Sequence, residues 1–117
     1  MRRNIVCDIV EVYDLLYHLG LSANSDSFFY LSFALYLAVR TPHRLFAPSQ
    51  YLYPQVAAHY RTDTLQVYRG ISALIGQLWQ RKSAVLRALA HHPLPDPPST
   101  PQLLAVLALS LREKHGG

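Results

Sequence analysis

Two helical patterns separated by the short polar break Arg61-Thr62-Asp63 constrain the fold of this chain more than any other stretch. After the break, apolar residues recur at a spacing that gathers them on one side of a helix. They are Val67, Ile71, Leu74, Ile75 and Leu78. Before the break lie Val56, the small Ala57 and Tyr60. Thr62 or Asp63 can cap the second helix through a side-chain oxygen. The pattern predicts a helix-turn-helix at about residues 54–80.

The face of the second predicted helix that lies opposite this apolar stripe carries mostly short side chains. It comprises Leu65, Gln66, Arg69, Ser72, Ala73, Gly76 and Gln80. A face with little bulk and one cation can enter the major groove of DNA, where arginine suits guanine and glutamine suits adenine. A solvated helix face, or a seam for another protein helix, is also compatible with the pattern. Gly70 and Gly76 each cost about 1 kcal/mol within a helix, which indicates that something approaches closely.

Positive charge is concentrated around this segment. Residues 36–82 carry five arginines and one lysine against Asp63 alone, whereas residues 1–35 carry two arginines against four acids. A surface that binds phosphate groups requires such a concentration of cations. The alternative is that an apolar helical domain, half of whose residues are hydrophobic, needs some charge for solubility.

The sequence pattern in the rest of the chain predicts further helices. Together with the first two they predict an all-α fold, a single six-helix domain over residues 1–117. The six predicted helices run from about Asn4 to Leu19, Phe28 to Val39, Ser49 to Tyr60 with a restart at Pro54, Asp63 to Gln80, Ser83 to His91, and Pro101 to His115. Gly20 should end the first helix, Asn24 or Ser25 should cap the second, and Thr100 should cap the last. The stretch from His92 to Pro101 contains five prolines, which predicts an extended loop.

The sequence offers little chemistry for catalysis, so we do not expect an enzyme, a metal site or a cofactor. The six histidines include no pair spaced i, i+4, and no glycine-rich phosphate loop or GxSxG motif is present. Asp8, Glu11 and Asp14 are interpreted as a solvated acidic face of the first helix. The single cysteine, Cys7, excludes an internal disulfide, is expected in the core, and fits a reducing cytoplasm. The longest apolar run, residues 28–39, is too short to span a membrane.

With its helices in this order, the chain resembles a known family, the C-terminal effector domain of the sporulation response regulator. That regulator is the stage-zero master transcription factor of endospore-forming bacteria. The resemblance rests on His18-Leu19-Gly20-Leu21, Tyr30-Leu31 with Ala34, Leu52-Tyr53-Pro54, Val56-Ala57, Tyr60, Thr62, Val67, Arg69, Ile71, Trp79, Leu111-Arg112 and His115. The pattern runs without a gap from Val12 to Lys82, and the stretch from Ser83 to Pro98 is shorter and richer in proline. The resemblance implies a six-helix domain that binds double-stranded DNA through its fourth helix, as a homodimer or as tandem copies on repeated sites. It also implies an upstream receiver domain or partner regulator, and these residues contain no receiver domain.

The chain departs from the family at the helix that reads DNA. The resemblance implies charged residues at the positions of Gln66, Tyr68, Arg69, Ser72 and Ala73, and here only Arg69 is charged. We therefore expect Gln66, Tyr68, Arg69 and Ala73 to face the bases. The expected phosphate contacts are His59, Arg61, Thr62, Arg81, Lys82, Arg40 and Arg44. The loss of charge leaves open a second hypothesis, a protein-interaction or dimerisation paralogue on the same scaffold that has lost specific readout.

Overall fold

The computed structural model describes residues 8–113, and within that range the chain consists of helices, turns and loops. The helices are α1 (Ile9–His18), α2 (Asp26–Arg40), the single-turn α3 (Pro48–Tyr51), α4 (Tyr53–Tyr60), α5 (Thr64–Leu89) and α6 (Thr100–Glu113), with a 3-10 helix (Pro42–Phe46) between α2 and α3. The all-α prediction is therefore confirmed. The count differs from the prediction, because five α-helices are longer than one turn.

Helix α1 begins later than its sequence pattern predicts. Asp8 has an extended backbone and caps the helix, since its carboxylate accepts from the Glu11 amide at 3.2 Å while the Glu11 side chain accepts from the Asp8 amide at 3.0 Å. This reciprocal capping box satisfies two donors that a helix start otherwise leaves unpaired. Helix α1 thus starts after Asp8, and both the predicted start at Asn4 and the predicted place of Cys7 lie outside the described residues. Gly20 has a φ of +92°, as its predicted position after the helix requires.

The inward side of α1 packs on α2. Val12 and Leu16 are fully buried, whereas Tyr17 is 49% exposed. The Tyr17 ring stacks on Phe28 of α2, with ring centroids 5.5 Å apart. Its apolar ring therefore packs at the edge of the core and leaves part of the side chain in water.

Helix α2 is the central element, as its almost uniformly apolar sequence predicts. It packs against α1, α4, α5 and α6. Leu31, Ala34 and Leu35 are completely buried, and the one polar residue in its buried set, Ser32, donates to the Phe28 carbonyl at 2.7 Å. Pro42 follows the helix and opens the 3-10 turn.

The predicted restart before Pro54 is present. Leu52 has φ −121° and ψ −60°, which separates the single turn α3 from α4 and places Pro54 in the first turn of the new helix. A proline there loses no hydrogen bond, because the first-turn amides have no intrahelical acceptor. Leu52 is itself fully buried and anchors the junction in the core.

Helix α5 contains both the fourth and the fifth predicted helices, and their predicted separation after Gln80 is present as a kink. Only Lys82 departs from helical geometry, with φ −129° and ψ 29°, which kinks the helix without ending it. No proline or glycine lies between Gln80 and Leu86. Leu78 before the kink and Leu86 after it are both buried, so packing against the core continues across the kink.

The proline-rich connection after α5 is held in its middle and at its C-terminal end. Trp79 of α5 donates from Nε1 to Asp96 at 3.0 Å, and the Arg87 guanidinium lies 4.7 Å from the Trp79 ring centre. At the start of α6, the Ser99 hydroxyl accepts from the Gln102 amide at 3.2 Å, and the Gln102 side chain accepts from the Ser99 amide at 2.7 Å. The cap is therefore Ser99 and not the predicted Thr100. No helix within residues 8–113 is long and apolar enough to cross a lipid bilayer.

Candidate nucleic-acid interface

Three residues join α4 to α5 in a tight turn. Arg61 adopts the left-handed conformation, with φ 56° and ψ 48°, and the Thr62 amide donates back to the Ala57 carbonyl at 3.0 Å. The Asp63 carboxylate accepts from the Gln66 amide at 2.8 Å and caps α5, which is one of the two caps that the sequence allowed. The turn thus satisfies the backbone groups at the end of one helix and at the start of the next.

The predicted apolar stripe holds α4 and α5 together and faces the core. Val56 of α4 and Val67 and Ile71 of α5 are completely buried, and Ala57 is 5% exposed. Helices α4 and α5 are in direct contact. A small side chain at residue 57 lets the two helix backbones approach closely behind the turn.

Contacts on both flanks fix the rotation of α5 about its axis. On one flank Gly70 lies against α2 so closely that a Cβ atom there would be 2.6 Å from Ser27 Oγ and 3.2 Å from Tyr30 Cδ2. On the other flank Thr100 of α6 donates to Ser72 Oγ at 3.4 Å. Gly70 therefore serves close packing inside the protein. Ser72, which was predicted to point outward, is half-buried against α6, so that part of the outward-face prediction is wrong.

The surface left between these flanks carries the predicted base-reading side chains. Gln66, Arg69 and Ala73 are exposed on it, and Leu65 is 52% exposed. Gly76 continues the same face, and a Cβ atom added there would meet nothing within 4 Å. Tyr68 lies at the edge of this surface, 48% exposed, with its ring 6.0 Å from that of Tyr53. We call Leu65, Gln66, Arg69, Ala73 and Gly76 the outward face of α5.

No acidic residue occurs in α5. Its charged residues are Arg69, Arg81, Lys82 and Arg87. The acid nearest in sequence is Asp63, whose carboxylate is directed to the Gln66 amide. The outward face is therefore positive and free of carboxylates along the helix, which favours an approaching polyanion.

The predicted phosphate-binding residues fall into two groups. Arg61 and Thr62 lie in the turn beside the outward face, and Arg81 is exposed further along α5. Lys82 is half-buried, and its Cε lies near Gly20 after α1.

Three further candidates are held elsewhere in the fold. The His59 ring stacks on Phe33 of α2 at 4.1 Å, and the Arg40 guanidinium lies 4.9 Å from the Tyr36 ring centre. Arg40 is 13 residues along α2 from Ser27, which is about 20 Å at 1.5 Å per residue. It therefore lies at the opposite end of α2 from the Gly70 crossing. The Arg44 Nη1 donates to the Tyr51 carbonyl at 2.7 Å and ties the 3-10 helix to α3.

Sequence reasoning missed a groove beside the first turn of α5. The groove has a volume of about 470 Å³ and is lined by Ser49, Tyr53, Thr64, Leu65 and Tyr68. Tyr53 is 2% exposed, and its buried hydroxyl has no hydrogen-bond partner. Burial, with a smaller contribution from the nearby Tyr68, raises the pKa of Tyr53 from 10 to about 12. The Leu52-Tyr53-Pro54 motif marked this position, but only the packing of α4 against α5 shows that the hydroxyl is buried.

Comparison with known protein families identifies the family of this chain. A search of curated proteins found no match. A family model described as sporulation initiation factor Spo0A C terminal matches residues 12–111, which include all of α2 to α5 and most of α1 and α6. The chain therefore belongs to the Spo0A C-terminal family, whose members are DNA-binding domains of a sporulation transcription factor.

Proposed function

We propose that this protein is a sequence-specific transcriptional regulator that reads the major groove of double-stranded DNA with α5. In this proposal α4, the turn Arg61–Asp63 and α5 up to Gln80 form a helix-turn-helix within one domain over residues 1–117. In such motifs the N-terminal residues of the second helix contact base edges while the first helix crosses the backbone. Membership of the Spo0A C-terminal family supports the binding of DNA.

The observation that carries the proposal is the outward face of α5. It is exposed, it contains no carboxylate, and Arg69 projects from it among short side chains. Arg69 can pair with guanine through two hydrogen bonds and Gln66 with adenine, and each such pair discriminates against a wrong base by about 1–3 kcal/mol. Ala73 and Gly76 lack bulk, so they allow the helix to sit deep in the groove. Tyr68 would contact a base only at the edge of this face.

Phosphate contacts are assigned mainly to residues around the outward face. Arg61 and Thr62 in the turn, together with Arg81, would border the DNA groove in which α5 docks. Because His59, Arg40 and Arg44 are engaged with other side chains or backbone, and Lys82 is half-buried near Gly20, the phosphate contacts of these four residues would be secondary. Each neutralised phosphate should add about 0.9 to the slope of log K against log salt concentration.

A salt-dependent binding titration tests this proposal. Fluorescence anisotropy of labelled genomic fragments should show affinity that falls steeply as salt rises. Arg69→Ala should weaken binding to a selected high-affinity site more than binding to mixed duplexes, because the side chain would read bases. Ser110→Ala, a polar substitution on α6 away from α5, serves as the control. Absence of binding by micromolar protein at roughly 50 mM salt would contradict the proposal.

The assembly on DNA is part of the same proposal. We infer that the protein binds as a homodimer or as tandem copies on repeated sites, in the cytoplasm, and under the control of a receiver domain or a partner regulator. Footprinting of duplexes that carry one site or two sites tests for paired binding. If copies bind in pairs, each site of the two-site duplex is protected at a lower protein concentration than the single site. Equal and independent occupation of the two sites would argue for isolated copies.

A second candidate function is favoured by exposed apolar side chains away from α5. Phe46 in the 3-10 helix is 85% exposed and Leu109 of α6 is 42% exposed. A groove of about 410 Å³, lined in part by Leu45, Leu109 and Arg112, lies between α2, the 3-10 helix and α6. Exposed apolar surface of this kind often marks a protein interface. Light scattering, which measures the molar mass in solution, distinguishes the two functions when the unmodified protein is compared with Phe46→Ser. If both are monomers, the result argues against an interaction module.

A further inference from the structure

In the free protein the Tyr53 hydroxyl is a buried polar group without a hydrogen-bond partner. The side chain is 2% exposed, and its oxygen finds neither a protein acceptor nor a protein donor. A buried polar group without a partner is unfavourable, and the great majority of such groups are satisfied. The hydroxyl is protonated throughout the physiological range, since the ordinary pKa of a phenol is already near 10 and burial raises that of Tyr53 to about 12. It is therefore a hydrogen-bond donor held in place without an acceptor.

The surroundings of this hydroxyl suit an anion. The groove at Tyr53 is lined by the hydroxyl-bearing residues Ser49, Thr64 and Tyr68, and none of its lining residues is acidic. Its wall includes the first turn of α5, a helix of 26 residues whose N-terminus is the positive end of its dipole. Asp63 caps the amide of Gln66, which leaves the amides of Thr64 and Leu65 without an intrahelical acceptor. Helix N-termini with such amides are known binding sites for phosphate groups.

Because the groove lies beside the outward face of α5, its position favours a phosphate of the DNA backbone as the bound anion. Leu65 belongs both to the groove and to the outward face of α5, so the two surfaces are continuous. When a helix lies in the major groove, the two sugar-phosphate backbones run along its flanks. The groove occupies the flank of α5 that carries Tyr68, next to the end that would contact the bases.

We propose that Ser49, Tyr53, Thr64 and Tyr68 form a neutral clamp for one backbone phosphate of the bound DNA. Tyr53 donates its hydroxyl to a phosphate oxygen, and the first-turn amides of α5 and the other hydroxyls share the remaining oxygens. Access requires the half-exposed Tyr68 ring to shift towards solvent. The inference rests on the proposed DNA binding by α5 and adds a contact that no cation provides.

Tyr53→Phe tests the clamp, because it removes one oxygen and leaves the ring packed in the core. In the free protein this change should leave the melting temperature unchanged or raise it, since the hydroxyl has no partner to lose. Affinity for mixed-sequence duplexes should fall about tenfold. The loss should be similar for every duplex sequence, because phosphate contacts carry no base information.

The salt dependence separates this clamp from a cationic contact. Tyr53 is neutral, so Tyr53→Phe should leave the slope of log K against log salt unchanged, whereas Arg61→Ala should reduce its magnitude by about 0.9. Tyr17→Phe, which removes a phenol hydroxyl on α1, is the matched control and should bind DNA as the unmodified protein does. Ser49→Ala should give a smaller loss than Tyr53→Phe, in the same direction.

The outcomes distinguish the clamp from the proposed function. If the unmodified protein binds DNA and Tyr53→Phe binds equally well, the clamp is wrong and the reading of DNA by α5 stands. A fall in affinity accompanied by a lower melting temperature also overturns the clamp, because the hydroxyl would then be structural. If the unmodified protein binds no duplex, the proposed function itself fails.

Discussion

The two glycines of α5 provide a direct test of how this helix is rotated. Both lie within the helix, where replacement by alanine should stabilise by about 1 kcal/mol through helix propensity alone. Their surroundings differ. A Cβ at Gly76 meets nothing within 4 Å, whereas a Cβ at Gly70 falls 2.6 Å from Ser27 Oγ and 3.2 Å from Ser27 Cβ and Tyr30 Cδ2.

The structure therefore predicts opposite signs for the same substitution. Gly76→Ala should raise the free energy of unfolding by about 1 kcal/mol, which is a gain of about 4 °C in melting temperature for a domain of this size. Gly70→Ala gains the same propensity, but its methyl group crowds the Ser27 and Tyr30 side chains of α2, and overpacking typically costs about 1–3 kcal/mol. The net effect at Gly70 should be a loss of roughly 0–2 kcal/mol.

Thermal and urea unfolding, read by circular dichroism, measure both effects. Ser27→Ala in the Gly70→Ala background should recover part of the loss, because it removes the nearest atom, and it should change the Gly76→Ala protein no more than it changes the unmodified one. Equal stabilisation by Gly70→Ala and Gly76→Ala would refute the reasoning. In that case α2 would not pack against residue 70, and the assignment of Arg69 to the outward face would lose its support.

Further substitutions test the site and the turn. Gly76→Ala should also weaken DNA binding while it stabilises the fold, since the added methyl lies on the outward face, and unchanged affinity in a binding titration would show that DNA does not approach there. Asp63→Ala should lower stability by about 1 kcal/mol through loss of the helix cap, yet increase affinity for mixed duplexes because a carboxylate beside the phosphates is removed; anisotropy and urea unfolding measure the two changes. Alkaline conditions should destabilise the protein between pH 10 and about 12, because the unfolded Tyr53 releases its proton while the folded one, with its raised pKa, retains it. Tyr53→Phe should reduce this alkaline loss in a pH series of unfolding curves, and the part that persists is expected from Tyr60, whose pKa burial also raises.

Much of the fold followed from local patterns in the sequence. The apolar spacing after Asp63 placed Val67, Ile71 and Ile75 in the core, where they are 0–3% exposed. The uniformly apolar α2 was correctly placed at the centre, and the restart before Pro54 and the positive φ of Gly20 followed from proline and glycine stereochemistry. These features depend on the geometry of one helix or one turn, so the sequence of that segment contains the necessary information.

The predictions that failed depend on neighbours that are distant in sequence. Ser72 lies on a flank of α5, and only the position of Thr100 in α6 determines that it is half-buried. The two predicted helices meet at Lys82 in a kink, and the burial of Leu86, which continues the packing across it, keeps them in one run. The cap at Asp8 was interpreted as part of an acidic face, because acids at a spacing of three suit both a helix face and a capping box.

Helical periodicity decides which side of α5 is apolar, because residues three and four apart share a face whatever the helix packs against. It cannot decide where the buried side ends, since that boundary depends on how α2, α4 and α6 cross the helix. The close contact of Gly70 with Ser27 and the burial of the Tyr53 hydroxyl both arise from those crossings. The candidate base-reading residues were therefore visible in the chain, whereas the groove beside them exists only after the helices have packed.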